Sequence, residues 1–210
     1  MTRMHRLFLL LAVCGCPKGG NVGSLEQAVP PPHDVNWRET VVIDGIVRLS
    51  FGVSQQWIGP KDLGDGRKAW RIVENEEKPE GIKERARYDL VLGPDGFGYL
   101  GTVQADGSLQ EWEPPELILP PDPVVGAKFT TKSKKGERTV ERSCELLASD
   151  LCNGGIVSVC EAADEHGTTV MREHFCPGVG WSGYESLRVF DGHSEKRWTE
   201  DLVRDGVSVP

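Results

Sequence analysis

The chain has 210 residues, 24 of them basic and 32 acidic, for a formal charge of −8 at neutral pH. An acidic surface repels phosphate backbones and anionic headgroups, so nucleic acid is excluded as a partner. The length suits one domain with its own core once the first few dozen residues are set aside.

Those first residues read as an address. Arg3 and Arg6 precede "LFLLLAV" at 7–13, and small residues follow, which is the charged, apolar, small-residue layout of an export signal. A helix needs roughly 20 apolar residues to span a bilayer, so this run is no lasting anchor. The stretch "VCGC" resembles the lipobox of bacterial lipoproteins, which places lipidation on Cys16 and a signal over residues 1–15. The acyl chains, palmitate among them, would then hold the mature protein on a membrane without spanning it. Loss of Arg3 and Arg6 with the signal leaves 22 basic against 32 acidic residues, a charge of −10.

Residues 16–36 are rich in Pro and Gly and lack aliphatic periodicity, as expected of a solvated tether reaching on the order of 25 Å. A single β-rich domain is expected over residues 37–210. Its clearest local signal is "VVIDGIVRLSFGVS" at 41–54: Asp44-Gly45 is a two-residue hairpin loop, and Val47, Leu49, Phe51 and Val53 then alternate with polar or small residues. Further strands are expected at 68–74, 86–92, 97–104 and 108–112. "ENEEKPEG" reads as an exposed loop, and "EPPELILPPDPVVG" at 113–126 has too many prolines for an interior strand and reads as a crossover. Residues 194–203, with Trp198 and Leu202 four apart, fit either a short C-terminal helix or one more strand. Together these patterns predict an all-β, mainly antiparallel protein of nine to eleven strands, a curved sheet, two-layer sandwich or half-barrel.

Four cysteines remain after Cys14 leaves with the signal and Cys16 is lipidated: Cys144, Cys152, Cys160 and Cys176. Export favours disulfides, and four cysteines allow three pairings. In "TVERSCELL", Val140, Cys144 and Leu146 share a face. A hairpin centred near Cys152 sets Cys144 opposite Cys160, and the next hairpin returns Cys176 to the end where Cys152 lies. The expected pairs are Cys144 with Cys160 and Cys152 with Cys176. Zinc held by these thiolates with His174 is the competing reading, but no paired C-x-x-C spacing supports it, and no metal or other cofactor is expected.

Sequence signatures of catalysis are weak. "GWSGY" places glycine one position too early for a nucleophile elbow at Ser182. Glu111, Glu113 and Glu116 near Trp112 read as a solvated acidic edge rather than a sugar-cleaving pair. Asp62 and Asp65 lack the ligand spacing of a calcium loop. His166, His174 and His193 read as surface histidines, and "KSKKGER" at 132–138 as a basic hairpin tip. In "CPGVGWSGYE", Gly180 and Gly183 permit a bulge, while Trp181 and Tyr184 offer amphipathic surface to a ligand or partner.

Two stretches, "ELILPPDPVVG" and "REHFCPGVGWSGYE", resemble a pattern of uncharacterised bacterial envelope lipoproteins over roughly residues 115–185. Leu119, Pro120, Pro123, Val125 and Gly126 match its first part, and Pro177, Gly178, Val179 and Gly180 its second; Phe175-Cys176 departs from it. The resemblance implies a β-rich envelope lipoprotein without known catalysis. By resemblance to enterobacterial sorting, the absence of aspartate after Cys16 implies the outer membrane. The expectation is a non-enzymatic, lipid-anchored protein presenting a binding or structural surface to an envelope protein. The alternatives are a carrier whose apolar cavity holds a lipid or other apolar ligand, and a hydrolase.

Overall fold

The computed structural model describes residue 25 and residues 34–164, 167–204 and 207–208. It contains thirteen strands, β1 (Asp34–Ile43), β2 (Ile46–Gly64), β3 (Arg67–Lys78), β4 (Gly81–Gly93), β5 (Gly96–Val103), β6 (Leu109–Leu119), β7 (Lys128–Lys135), β8 (Arg138–Ala148), β9 (Ile156–Asp164), β10 (Gly167–Cys176), β11 (Gly180–Phe190), β12 (His193–Arg204) and β13 (Val207–Ser208). Each strand pairs antiparallel with the next. The chain then closes on itself, because β1 also pairs with β12, from Val35 opposite Arg204 to Ile43 opposite Glu195. Twelve strands therefore form a closed barrel, with β13 as a short addition beside the end of β12.

Local chemistry explains the meander. Asp44-Gly45, Asp65-Gly66 and Asp191-Gly192 all have positive φ at both positions, the type I′ geometry whose twist matches that of the flanking strands. Alternation then sorts the faces. On β2, Val53, Gln55 and Trp57 are buried inside while Gln56 and Ile58 are exposed. On β1 and β8 the outward residues include Asp34, Asn36, Arg38, Glu141 and Ser143, all exposed. At these positions the outer face is polar, unlike the apolar band that a membrane-spanning barrel presents to lipid.

The two barrel ends differ. At the end where β4 turns into β5 and β10 into β11, inward side chains fill the lumen. Phe97, Leu119, Leu146, Ile156 and Phe175 are buried, with Phe97 and Phe175 edge to face at 6.3 Å between ring centroids. At the other end β2 runs on past its pairing with β3, and the inward-facing Leu49 there is 57% exposed, whereas Val53, two inward positions deeper, is 3% exposed. The barrel is plugged at one end and open at the other.

Several expectations change. The sandwich or half-barrel becomes a closed barrel, since pairing β1 with β12 leaves neither as a free edge. Residues 194–203 lie in strand β12, where both neighbouring strands pair with it, and form no helix. "ENEEK" continues β3 to Lys78. The proline-rich stretch is not a crossover from its start: β6 runs through Pro114 and Pro115 to Leu119. The prolines act as their missing N–H groups require. Between β6 and β7 the ladder shrinks to one pair, Glu113 opposite Lys134, and Thr131 Oγ1 accepts from Leu117 N at 3.2 Å in place of a backbone partner. β1 begins at Asp34, Val35 is fully buried, and Leu25 packs on the same core, all ahead of residue 37.

Candidate functional site

Above the plug the lumen holds a cavity of about 260 Å³. Its floor is Leu90, Phe97 and Ile118, and its walls carry five aromatic residues, Trp57, Tyr88, Tyr99, Trp181 and Tyr184. Tyr88 and Tyr99 meet edge to face at 5.7 Å, and Trp181 and Tyr184 lie 6.4 Å apart with planes 27° from parallel. Between them stand Gln55, Glu74, Arg85 and Glu173.

Strand register accounts for this convergence. Gln55 and Glu74 are directly opposed on β2 and β3, as are Glu173 and Tyr184 on β10 and β11. Arg85 arrives differently. Glu74 pairs with Ala86 and Asn75 with Glu84, so Arg85 is the extra residue of a β-bulge. Simple alternation from Tyr88 and Leu90 would send it outward; the bulge turns it into the lumen.

The polar groups form two sets. At the mouth, Arg85 Nη1 donates to Glu39 Oε2 at 2.8 Å and Arg85 Nε reaches Glu74 Oε1 at 3.0 Å. Glu39 also accepts from Tyr184 OH at 2.6 Å and from Arg197 Nη1 at 3.1 Å. Burial works against the charge of Arg85, but Glu74 and Glu39 more than offset it and its pKa rises. Gln55 Nε2 donates to Glu74 Oε2 and to Tyr88 OH, both at 2.8 Å. Burial raises the Glu74 carboxyl, against the pull of Arg85 and Gln55.

Deeper in, Glu173 is buried, and Tyr99 OH donates to its Oε1 at 3.4 Å. It makes no ion pair among the described residues; the nearby Arg142 is paired with Glu116. Burial pushes the Glu173 carboxyl up to about 7, with Arg142 and Tyr99 opposing and Glu116 adding to the rise. Burial, with Glu74 and Glu173 beside Tyr88 and Glu173 beside Tyr99, also holds both tyrosines protonated well above the usual phenol range.

The structure places Trp181 and Tyr184 on the cavity wall. Cys144 is bonded to Cys160, directly opposed across β8 and β9, and Cys152 to Cys176, tying the β8–β9 loop to the end of β10. These four sulfurs are therefore not thiolate ligands. Cys16 lies outside the described residues, as does His166. His174, read as a surface residue, is buried against Ser149 Oγ at 3.1 Å, and burial lowers its pKa. His193 is exposed beside Asp44. Ser182 Oγ donates to Gly180 O at 2.8 Å. Glu116 is not part of a solvated edge but is buried with Arg142, while Glu111 and Glu113 are exposed.

Sequence reasoning missed Glu74, Tyr88, Tyr99, Glu173 and Arg85. Two of these left a legible signal: Trp70, Ile72 and Glu74, and Met171, Glu173 and Phe175, each set a carboxylate on an otherwise apolar strand face. A charge in that position is costly unless it is satisfied or used.

No family model and no curated protein matches this sequence. A solved structure described as a "putative lipoprotein" from Parabacteroides distasonis ATCC 8503 is similar to it with a TM-score of 0.41 and 12% identity, covering 83% of this chain and 97% of that one.

Proposed function

We propose that this chain is a lipid-anchored protein of the bacterial envelope, on the outer membrane, that binds a small ligand in the lumen of its barrel without catalysing a reaction on it. The observation that carries this reading is the cavity: aromatic walls, an apolar floor and a few convergent polar groups, open toward one barrel end and plugged at the other. At about 260 Å³ it lies just below the roughly 300–1,000 Å³ of drug-sized pockets, so its occupant is small and not a two-chain lipid. The lining departs from the purely apolar cavity of a lipid carrier in its carboxylates and tyrosine hydroxyls. The lipobox-like stretch ending at Cys16 supports the anchor, and the Pro/Gly-rich residues between it and Leu25, which packs on the core, support a short spacer between membrane and barrel.

Two measurements test the parts separately. Intact mass of the membrane-extracted protein, before and after reduction with alkylation, is expected to begin at Cys16 with acyl chains attached; a mass without lipid overturns the anchor. Native mass spectrometry of the same material is expected to show a small noncovalent adduct that Trp181→Ala loses. Trp57 and Trp181 fluorescence is expected to respond saturably to that molecule. An unliganded mass, with no saturable response across cationic, anionic and neutral small metabolites, overturns the binding reading.

A further inference from the structure

Resting on that binding reading, we infer that the lumen takes a small organic cation, its ammonium group seated between the Glu173 carboxylate and the faces of Tyr99, Tyr88 and Trp181.

Among the described residues, one carboxylate on the cavity wall has no ion-pair partner. Arg85 is matched by Glu39 and Glu74, Arg197 by Glu39 and Glu195, and Arg142 by Glu116. Glu173 is the carboxylate on the cavity wall with no cationic partner within 4 Å among the described residues, and it is 7% exposed. A buried carboxylate without a counter-charge is costly, and a ligand cation supplies the missing partner.

The neighbouring groups select the same sign. Several donors near the cavity are already directed at protein acceptors: the Gln55 amide at Glu74 and Tyr88, Tyr99 OH at Glu173, Tyr184 OH at Glu39, and Arg85 at Glu39 and Glu74, while the Tyr88 hydroxyl accepts from Gln55. An entering anion would meet carboxylate oxygens and the negative faces of aromatic rings. An ammonium group meets attraction from both, since ring faces draw cations most strongly where water is excluded. The acidic surface of the whole chain works in the same direction by concentrating cations near the mouth.

The test uses pairs of molecules that share a shape and differ in charge. Isothermal titration of the full mature chain in detergent is made with choline against its neutral carbon isostere 3,3-dimethylbutan-1-ol, and with n-pentylammonium against 1-pentanol. The expected result is at least a tenfold preference for the cation in one or both pairs, reduced to less than threefold in Glu173→Gln. Equal affinity within each pair overturns the cation assignment and leaves the cavity as a site for neutral ligands. A cation preference that Glu173→Gln retains in full overturns the role of Glu173. No heat from any of the four overturns the cation assignment, and the native-mass adduct then decides whether the binding reading falls with it. The comparison on the unaltered protein stands even if the variant fails to fold.

Discussion

Arg85 Nη1 lies 2.8 Å from Glu39 Oε2, joining β4 to β1 across the lumen rather than through the sheet. Glu39 is fully buried and accepts from Tyr184 and Arg197 as well, so one carboxylate gathers three strands that are not all neighbours. Removing one member of a buried charge network leaves the others desolvated and underpaired, at about 3–5 kcal/mol. Glu39→Ala is expected to cost that much in urea unfolding. Glu39→Gln keeps the shape and one acceptor and is expected to cost less. Arg85 and Arg197 retain Glu74 and Glu195, which sets the lower half of the range for the alanine variant. A Glu39→Ala protein within about 0.5 kcal/mol of wild type would show that the cluster adds nothing to stability.

Glu173 makes stability depend on pH in a defined direction. Its folded-state pKa of about 7 stands above the ordinary 4.5, so between these values the native state holds a proton that the unfolded chain has released. Stability from this group is complete below about pH 4.5 and is lost as pH rises through about 7. The charged groups that act on it are Arg142, which opposes the rise, and Glu116, which adds to it; Tyr99 donates to it. Wild type is expected to lose on the order of 2–3 kcal/mol relative to Glu173→Gln between pH 5 and pH 8. Parallel stability curves for the two proteins over that interval would contradict the assignment.

The hairpin meander was legible from residues, and the closure was not. Asp44-Gly45 dictates a type I′ turn, and the spacing of Cys144 and Cys160 about Cys152 sets the register in which they are opposed. Closure depends on the accumulated twist and stagger of twelve strands, a sum that no single segment carries. The site divides in the same way. Trp181 and Tyr184 announced themselves as large amphipathic residues beside bulge-forming glycines. Arg85 could not, because its direction depends on one extra residue in a ladder, and one added residue reverses which face a side chain occupies.

Cys152–Cys176 fastens the β8–β9 loop to the closed end beside Phe175, and Cys144–Cys160 staples two adjacent strands already in register. The sequence separations of 24 and 16 residues correspond to about 3 kcal/mol each on the chain-entropy model. The paired serine variant at 152 and 176 is expected to lose more than that at 144 and 160. The first bond ties to β10 a loop otherwise joined to it through Ser149 and Asp150 at His174, whereas β8 and β9 keep their whole ladder without the second. Thermal unfolding of each variant, and of the doubly reduced wild type, measures the order; equal or reversed losses would refute it.

β5 carries Gly96, Gly98 and Gly101 in "GFGYLG", a rhythm unusual for a strand interior. Its counterpart lies on β6, whose backbone runs close to β5 where the ladder between them is irregular. A Cβ on Gly98 would stand 2.9 Å from the carbonyl carbon of Glu116 and 3.0 Å from Leu117 Cα, and one on Gly101 would stand 2.9 Å from Glu111 Cα. These contacts are with backbone and cannot be relieved by turning a side chain. A strand glycine of this kind marks close backbone approach. Gly98→Ala is expected to destabilise by about 1–3 kcal/mol through forced separation of β5 and β6. Because Glu116 then moves with β6, the Arg142 pair and the field at Glu173 move too. The same substitution is therefore expected to shift the midpoint of the pH-dependent stability, a readout that a purely local strand defect would leave in place. Hydrogen exchange is expected to rise first in β6, whose ladder to β7 is already reduced to the Glu113–Lys134 pair. Unchanged exchange in β6, with full stability, would show that the close approach has no energetic weight.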